Sequence, residues 1–230
     1  MKKSFSPIIV LFMCMPFLCA WSDPGYISIE ICSFYKYATV SNPTTIKEGA
    51  GHSFVIIYNN TSSNLTVGYY TLSPNDCVSV GLWQKGAGGG SSSGGSSGNS
   101  SSGSSSGADY NGIYYNKELY YYNFEETMIE PERYETNIST STLAQISNKI
   151  IAKNGTYSLI TYNCAHFATE IWNMVDSSAN WYTGWFRGPK ALRTDIKNKY
   201  NGYTSTSSSL EQKTSFRHYL NSTSYVETNH

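Results

Sequence analysis

The apolar and polar positions divide this chain into a β-rich first half and a helical second half. In the first half, apolar residues come in short dense or alternating runs with turn residues between them, which is typical of strands. The predicted strands cover 26–32, 53–59, 65–72, 77–83 and 113–123. The cluster from Asn59 to Asn64 separates the second run from the third, so we expect these two strands to form a hairpin.

In the second half, apolar residues recur at helical spacing, which predicts three helices. The first predicted helix carries Leu143, Ile146 and Ile150 on one face. The second begins at Cys164, and the third begins at Gly188-Pro189. Proline is well tolerated at a helix start, which supports the third assignment. The elements together predict an α+β fold, in which an antiparallel sheet packs against a helix with a cysteine at its N-terminus.

The first 20 residues are predicted to be a secretory signal peptide. Lys2 and Lys3 form a basic start, residues 7–18 are an apolar stretch too short to span a bilayer, and Ala20 is a small residue before the cut. An uncleaved membrane anchor is the alternative. Cleavage would leave a secreted protein, extracellular or in the periplasm and cell envelope, with no stable membrane span.

Residues 86–108 are almost entirely glycine and serine, a composition that behaves as flexible coil. They lie between two predicted strands, so we interpret them as a surface loop inside one domain covering 21–200. The alternative is a linker between two domains, which leaves about 65 residues before it, a marginal size for independent folding. Residues 201–230 are a Ser/Thr-rich C-terminal tail, in which Phe216 and Leu220 indicate a last short helix.

The composition narrows the function classes. Apolar residues make up 40% of the chain, enough for a core, whereas charged residues make up 14% and the formal net charge is zero. A nucleic-acid-binding surface needs a basic patch or stripe, so no nucleic-acid partner is expected. The chain has no Cys-x-x-Cys pair, no close histidine cluster and no Gly-x-x-x-x-Gly-Lys loop, so neither a metal nor another cofactor is predicted.

Three cysteines remain after the signal peptide: Cys32, Cys77 and Cys164. In an oxidising compartment an odd number indicates one disulfide and one thiol left over. Cys32 and Cys77 both lie in strand-like runs, so the hypothesis is a Cys32–Cys77 disulfide, with two free thiols as the alternative. Cys164 is then the unpaired thiol.

Cys164 lies where a thiolate is stabilised. Asn163 is a preferred N-cap residue, which makes Cys164 the first residue of its helix. The N–H groups and dipole of a helix start favour an anion, and the same N–H groups can form an oxyanion hole. Cys164 also continues the apolar stripe of Phe167, Ala168 and Ile171, so the alternative interpretation is a buried structural cysteine.

Thiolate catalysis needs a histidine within reach of the sulfur. His166 lies two helical positions after Cys164, about 200° around the helix axis, so it faces the other side of the helix. His52 precedes the apolar run 53–57 and is expected to project from the end of the sheet, which makes it the candidate base. A histidine at a strand edge with a purely structural hydrogen bond is the alternative.

A third group should orient the imidazole of His52. We expect it on the predicted strand 65–72, where the residues opposite His52 lie near the end of the strand. Tyr70 and Thr71 are the candidates, with Asn75 as a further choice.

Two other sets of residues have a structural interpretation that we favour. Asn116 and Glu118 alternate onto one face of a predicted strand and could line a cleft, although a solvated strand face is the preferred interpretation. The aromatic residues within 181–186 could bind a sugar or a peptide, but packing in the core or a loop is favoured.

A histidine before a strand, followed far downstream by Asn163-Cys164-x-His166-Phe167-Ala168, resembles the circularly permuted papain-like thiol hydrolases. The NlpC-like and lecithin:retinol acyltransferase-like enzymes belong to this superfamily, and the resemblance covers roughly residues 50–175. It implies that Cys164 is the nucleophile, that His52 is the base, and that strand 65–72 is the place of the third polar residue. This sequence departs from the pattern there, because the strand carries none of the usual polar residues.

The resemblance implies a secreted cysteine amidohydrolase or peptidase. Its thiolate would attack a carbonyl and form a thioacyl intermediate, which water hydrolyses. The expected partner is a peptide or amide substrate in the bacterial cell wall or in an external protein, by analogy of fold. The alternatives are a thiol acyltransferase and a catalytically inactive surface or binding module on the same scaffold, which the missing third residue favours.

Overall fold

A computed structural model of the chain describes residues 25–34, 36–40, 46–85, 110–124, 131–181, 187–201 and 213–229. The strands within these residues are β1 (Ile27–Ser33), β2 (Lys36–Val40), β3 (Ile46–Ala50), β4 (Ser53–Asn59), β5 (Leu65–Val67), β6 (Tyr70–Leu72), β7 (Asp76–Trp83), β8 (Gly112–Tyr115), β9 (Glu132–Ile138), β10 (Ser215–Tyr219) and β11 (Tyr225–Asn229). The helices are α1 (Lys117–Phe124), α2 (Thr140–Lys153), α3 (Cys164–Val175) and α4 (Pro189–Tyr200). The expected signal peptide at 1–20 and the glycine and serine loop at 86–108 lie outside the described residues.

Seven of the strands form one antiparallel sheet in the order β11-β10-β8-β7-β4-β1-β9. β4 lies near the centre, and every residue of this strand except Tyr58 is buried. The pairs β2–β3 and β5–β6 are separate two-stranded sheets. The predicted α+β class and the antiparallel sheet are confirmed.

The sheet buries apolar side chains on both faces because the residues of a strand alternate between them. One face forms the main core with α2, α3 and α4; its central members include Ile29, Ile57, Val80, Phe167, Trp172 and Leu192. The other face carries a smaller cluster that packs against Leu119 of α1; its members include Cys32, Phe54, Ile56 and Cys77. The helix with the cysteine and helix α1 therefore lie on opposite faces of the same sheet.

The predicted strand over 113–123 is instead a short strand followed by a helix. β8 ends before Asn116, which adopts a left-handed φ of 66°, a conformation that asparagine tolerates better than most residues. The Asn116 N–H donates to the Ser79 carbonyl at 2.9 Å, and the Tyr120 N–H donates to the Asn116 carbonyl at 2.9 Å. Asn116 therefore ends β8 where it pairs with β7, and it starts α1. Glu118 consequently lies on a helix and not on the predicted strand.

The predicted hairpin between 53–59 and 65–72 is wrong. β4 pairs with β1 and β7, while the segment 65–72 folds back on itself as β5 and β6. The turn between them is at Gly68, whose φ of 60° favours glycine, and a Cβ there would lie 2.2 Å from the Tyr115 hydroxyl. This local turn removes Tyr70 from the strand next to β4.

The C-terminal segment adds strands to the sheet in place of the short helix predicted around Phe216 and Leu220. β10 pairs with β8, with Arg217 opposite Tyr115 and His218 opposite Tyr114. Phe216 is buried in this strand. Part of the expected tail at 201–230 thus extends the domain's sheet.

The hypothesis of a Cys32–Cys77 disulfide is wrong, since both cysteines are free and buried. In the strand register, Cys32 of β1 lies opposite Phe54 of β4, and Cys77 of β7 lies opposite Tyr58 of β4. The two cysteines are therefore offset by four residues along the strands, about 13 Å, and by two strand spacings, about 10 Å. A disulfide needs Cα atoms within about 7 Å of each other, so the strand register excludes the bond.

Candidate active site

Cys164 is the first residue of α3, as the cap signal predicted. The Oδ1 atom of Asn163 accepts hydrogen bonds from the backbone N–H of Ala165 at 2.9 Å and of His166 at 3.2 Å. Asn163 itself is extended, with φ −105° and ψ −174°. This cap holds the thiol of Cys164 at the positive end of the helix dipole, where an anion is favoured. Cys164 is 6% exposed.

Asn163 also ties the helix start to the chain on both sides. Its Nδ2 donates to the carbonyl of Leu159 at 3.1 Å and to that of Arg187 at 2.9 Å. One side chain therefore makes four hydrogen bonds to backbone groups, which fixes the helix start relative to the loop before it and to the segment that leads into α4.

His166 belongs to the helix cap. Its Nδ1 accepts a hydrogen bond from the Asn163 backbone N–H at 3.4 Å, which completes a capping box. The ring is buried, and so is Thr169. The residues of α3 up to Thr169 are all buried, so the first turns of the helix are enclosed on every side.

His52 and Cys164 come together at the end of the sheet. His52 immediately precedes β4, and its carbonyl accepts a hydrogen bond from the Phe34 N–H at 2.9 Å. Its imidazole is buried, lies 4.2 Å from the Trp83 ring between centroids, and is close enough to Cys164 for that side chain to raise its pKa. The thiol reaches this ring from α3 on one face of the sheet.

The surroundings of His52 favour its charged form. Burial lowers the pKa of His52, but the charge of Cys164 and the hydrogen bonds to Cys164 and Glu118, together with the Glu118 charge, raise the pKa from 6.5 to about 9. The ring is therefore an imidazolium at neutral pH and below, and it becomes neutral as the pH rises through about 9. A cation beside the Cys164 sulfur stabilises the thiolate.

Glu118 supplies the third group, which sequence reasoning placed elsewhere. Its Oε1 lies 3.0 Å from Nε2 of His52 and accepts from the indole N–H of Trp83 at 2.6 Å, while its Oε2 accepts from the Ser79 hydroxyl at 2.7 Å. The carboxylate is almost fully buried, with 1% of the side chain exposed. The Trp83 and Ser79 side chains thus hold the carboxylate against the imidazole, from the face of the sheet opposite α3.

Gly81 leaves the space that the carboxylate occupies. A Cβ at this position would lie 1.7 Å from Oε1 of Glu118 and 3.0 Å from Nε2 of His52. The glycine in the run Cys77–Trp83, together with Asn116 before a glutamate, is the sequence signal that could have located the third group.

Tyr70, Thr71 and Asn75 lie elsewhere in the described structure. The Tyr70 hydroxyl accepts from Nδ2 of Asn116 at 3.3 Å, and its ring stacks on Tyr115 at 5.6 Å. Thr71 and Asn75 are exposed. Because β5 and β6 pair with each other, none of these three residues occupies the strand position opposite His52 that the sequence suggested.

Other features bear on the remaining predictions. Trp181 is half-buried and exchanges backbone hydrogen bonds with the Asn173 side chain at 2.9 and 3.0 Å, whereas residues 182–186 lie outside the described part of the chain. Across the described ranges, no three His, Cys, Asp or Glu side chains are grouped to hold a metal ion. No helix in those ranges is long and apolar enough to cross a membrane.

Comparisons of this chain with models of protein families, with curated proteins and with solved structures found no match.

Proposed function

We propose that this protein is a cysteine hydrolase that cleaves amide or peptide bonds, with Cys164 as nucleophile, His52 as acid and base, and Glu118 as the group that orients His52. One observation carries the proposal. A single buried imidazole lies 3.0 Å from a buried carboxylate and close enough to a thiol at a helix start for that thiol to raise the pKa of the ring. This is the arrangement of nucleophile, base and orienting group that covalent catalysis requires.

The roles follow from the geometry. Nε2 of His52 is held by Glu118, so Nδ1 is the nitrogen available to the thiol. Two of the first N–H groups of α3, those of Ala165 and His166, donate to Asn163. The oxyanion role of the helix start therefore falls to the N–H of Cys164 itself.

The reaction proceeds in two steps. The Cys164 thiolate attacks the carbonyl carbon, and the tetrahedral intermediate collapses to a thioester as His52 gives its proton to the departing amine. Water then attacks the thioester, neutral His52 takes a proton from it, and the acid leaves as the thiolate is regenerated beside the imidazolium. Glu118 holds the ring throughout and balances its positive charge.

The resemblance to circularly permuted papain-like enzymes is part of this proposal. The antiparallel sheet, the order of His52 before Cys164 and the capped cysteine helix support it. The orienting residue departs from the expected pattern, because Glu118 comes from a helix on the far face of the sheet. We propose a secreted protein, with a peptide or amide substrate in the cell wall or in an external protein.

The inactive binding module was favoured by a missing third residue. Since a carboxylate holds His52, that particular support no longer applies. A thiol acyltransferase uses the same thioester, and the two differ only in whether water or another nucleophile attacks it.

Alkylation of the purified protein by iodoacetamide across pH 5–10, with the site of labelling read by mass spectrometry, tests the proposal. We expect Cys164 to react at its plateau rate well below pH 8.5, where ordinary thiols ionise, and this plateau to disappear in His52→Ala. Cys32 and Cys77 are buried free thiols in the same chain and serve as internal controls.

Labelling of Cys164 that follows an ordinary thiol profile and is unchanged in His52→Ala would contradict the proposal. Trapping with hydroxylamine separates the two activities. A thioester that water clears without an added acceptor supports hydrolysis, whereas one that turns over only with an acceptor supports acyl transfer.

A further inference from the structure

Lys117 lies fully buried in a box of aromatic rings beside the candidate site. It is the first residue of α1, directly before Glu118, and its side chain has no solvent exposure. Its ammonium lies 4.5 Å from the ring centroid of Tyr114, 4.6 Å from that of Trp83 and 5.1 Å from that of Phe216. All three distances are within the range of cation–π attraction.

One wall of this box belongs to the candidate active site. The Trp83 ring contacts the His52 imidazole at 4.2 Å, and its indole N–H donates at 2.6 Å to Oε1 of Glu118, the oxygen that also meets His52. Whatever fixes the indole therefore fixes both the surface on which His52 packs and one of the hydrogen bonds that orient Glu118.

A charge in this box is not needed to fill space. A methionine has a side chain of similar length and would occupy an apolar box without the desolvation penalty of an ammonium. Cation–π attraction depends on the position of the charge over the ring face, so it restrains the orientation of a ring more than apolar contact does. The neighbouring His218 does not replace this cation, because burial and the nearby Lys117 charge both lower the pKa of His218.

We propose that Lys117 is a positioning residue for the Cys164 chemistry, whose ammonium holds the Trp83 indole against His52 and Glu118. The proposal rests on the proposed function, since it assigns Lys117 to the same site. In this scheme Lys117 acts on the site through Trp83.

The test compares Lys117→Met, Lys117→Arg and the wild-type protein in the same alkylation profile, with the thermal midpoint measured in parallel. In Lys117→Met we expect the pH midpoint of Cys164 labelling to rise by about one unit, which corresponds to about tenfold slower labelling below the midpoint. Lys117→Arg retains a cation that stacks on aromatic faces, and we expect it to restore most of the profile. The matched control is Lys149→Met, which removes a partly exposed lysine from α2 and should leave the midpoint unchanged.

A merely structural lysine would lower the thermal midpoint and leave the pH midpoint in place, and that result would overturn the proposal, as would a midpoint that falls. If Lys117→Met does not fold, Phe216→Leu opens the box at the ring farthest from the ammonium, 5.1 Å away. A smaller rise in the pH midpoint then supports the proposal, and no rise overturns it.

The same data separate this proposal from the proposed function. If the wild-type thiol behaves as an ordinary one, the cysteine hydrolase itself is refuted. If the wild type and His52→Ala behave as expected while Lys117→Met matches the wild type, only the role of Lys117 is refuted.

Discussion

The Gly81→Ala substitution tests the candidate site without removing any reactive group. Gly81 lies on β7 beside the carboxylate of Glu118, and the added Cβ would lie 1.7 Å from Oε1 and 2.8 Å from the carboxyl carbon. The carboxylate must retreat by roughly 1.5 Å to reach van der Waals distance. Oε1 of Glu118 lies 3.0 Å from Nε2 of His52, so this movement takes the carboxylate out of hydrogen-bonding range of the ring.

The size of the expected effect on the pKa of His52 follows from the loss of its hydrogen bond to Glu118. A hydrogen bond to a charged group contributes about 1.5–3 kcal/mol, which corresponds to a fall of about one to two units in the pKa of His52. In Gly81→Ala the ring of His52 should therefore lose its proton as the pH rises through about 7–8, whereas in the wild type it does so at about 9. Overpacking also lowers the stability of the fold, by about 1–3 kcal/mol.

The assay is an NMR titration of the His52 ring across pH 5–10, with urea unfolding measured separately. We expect the ring charge of the wild type and of Gly81→Ala to differ between about pH 7 and 9 and to be the same at pH 6. Gly188→Ala is the matched control, since a Cβ there meets no atom within 4 Å. Equal titration midpoints of His52 in Gly81→Ala and Gly188→Ala would refute the reasoning that Glu118 orients His52 through this gap.

Two further predictions concern the scaffold. Asn163→Ala removes a helix cap and should lower the free energy of unfolding in urea by about 1–2 kcal/mol, with partial recovery in Asn163→Asp, which keeps the capping oxygen; equal losses in both variants would contradict the capping role. Arg133→Leu leaves the buried Glu30 without the two guanidinium bonds of 2.7 and 2.9 Å and should cost about 3–5 kcal/mol. The double variant with Glu30→Met should recover much of this loss, and simple additivity of the two single losses would exclude the buried ion pair as its cause.

The parts of the site that depend on local sequence were predictable. The cap at Asn163 and the start of α3 at Cys164 involve residues within a few positions of each other, so capping chemistry and helical spacing are sufficient. The same holds for α2 and for α4, which begins at Pro189 as expected. His166 was excluded as the base on helical phase alone, and its ring instead accepts the Asn163 N–H.

The parts that depend on distant pairing were not predictable. The hairpin of β4 with 65–72 and the Cys32–Cys77 disulfide were wrong because each required a strand register that alternation of residues does not specify. The strand interpretation of Glu118 failed because one asparagine in a left-handed conformation changed strand into helix.

The sequence by itself determined the thiol end of the candidate site, since helix caps and apolar stripes are properties of neighbouring residues. Only the tertiary structure decided what holds His52. Glu118 reaches it from α1 on one face of the sheet and Cys164 from α3 on the other, and the two meet at the strand end where Gly81 leaves room. A contact made across a sheet depends on strand order, register and the space between side chains, and these are set by packing of the whole domain.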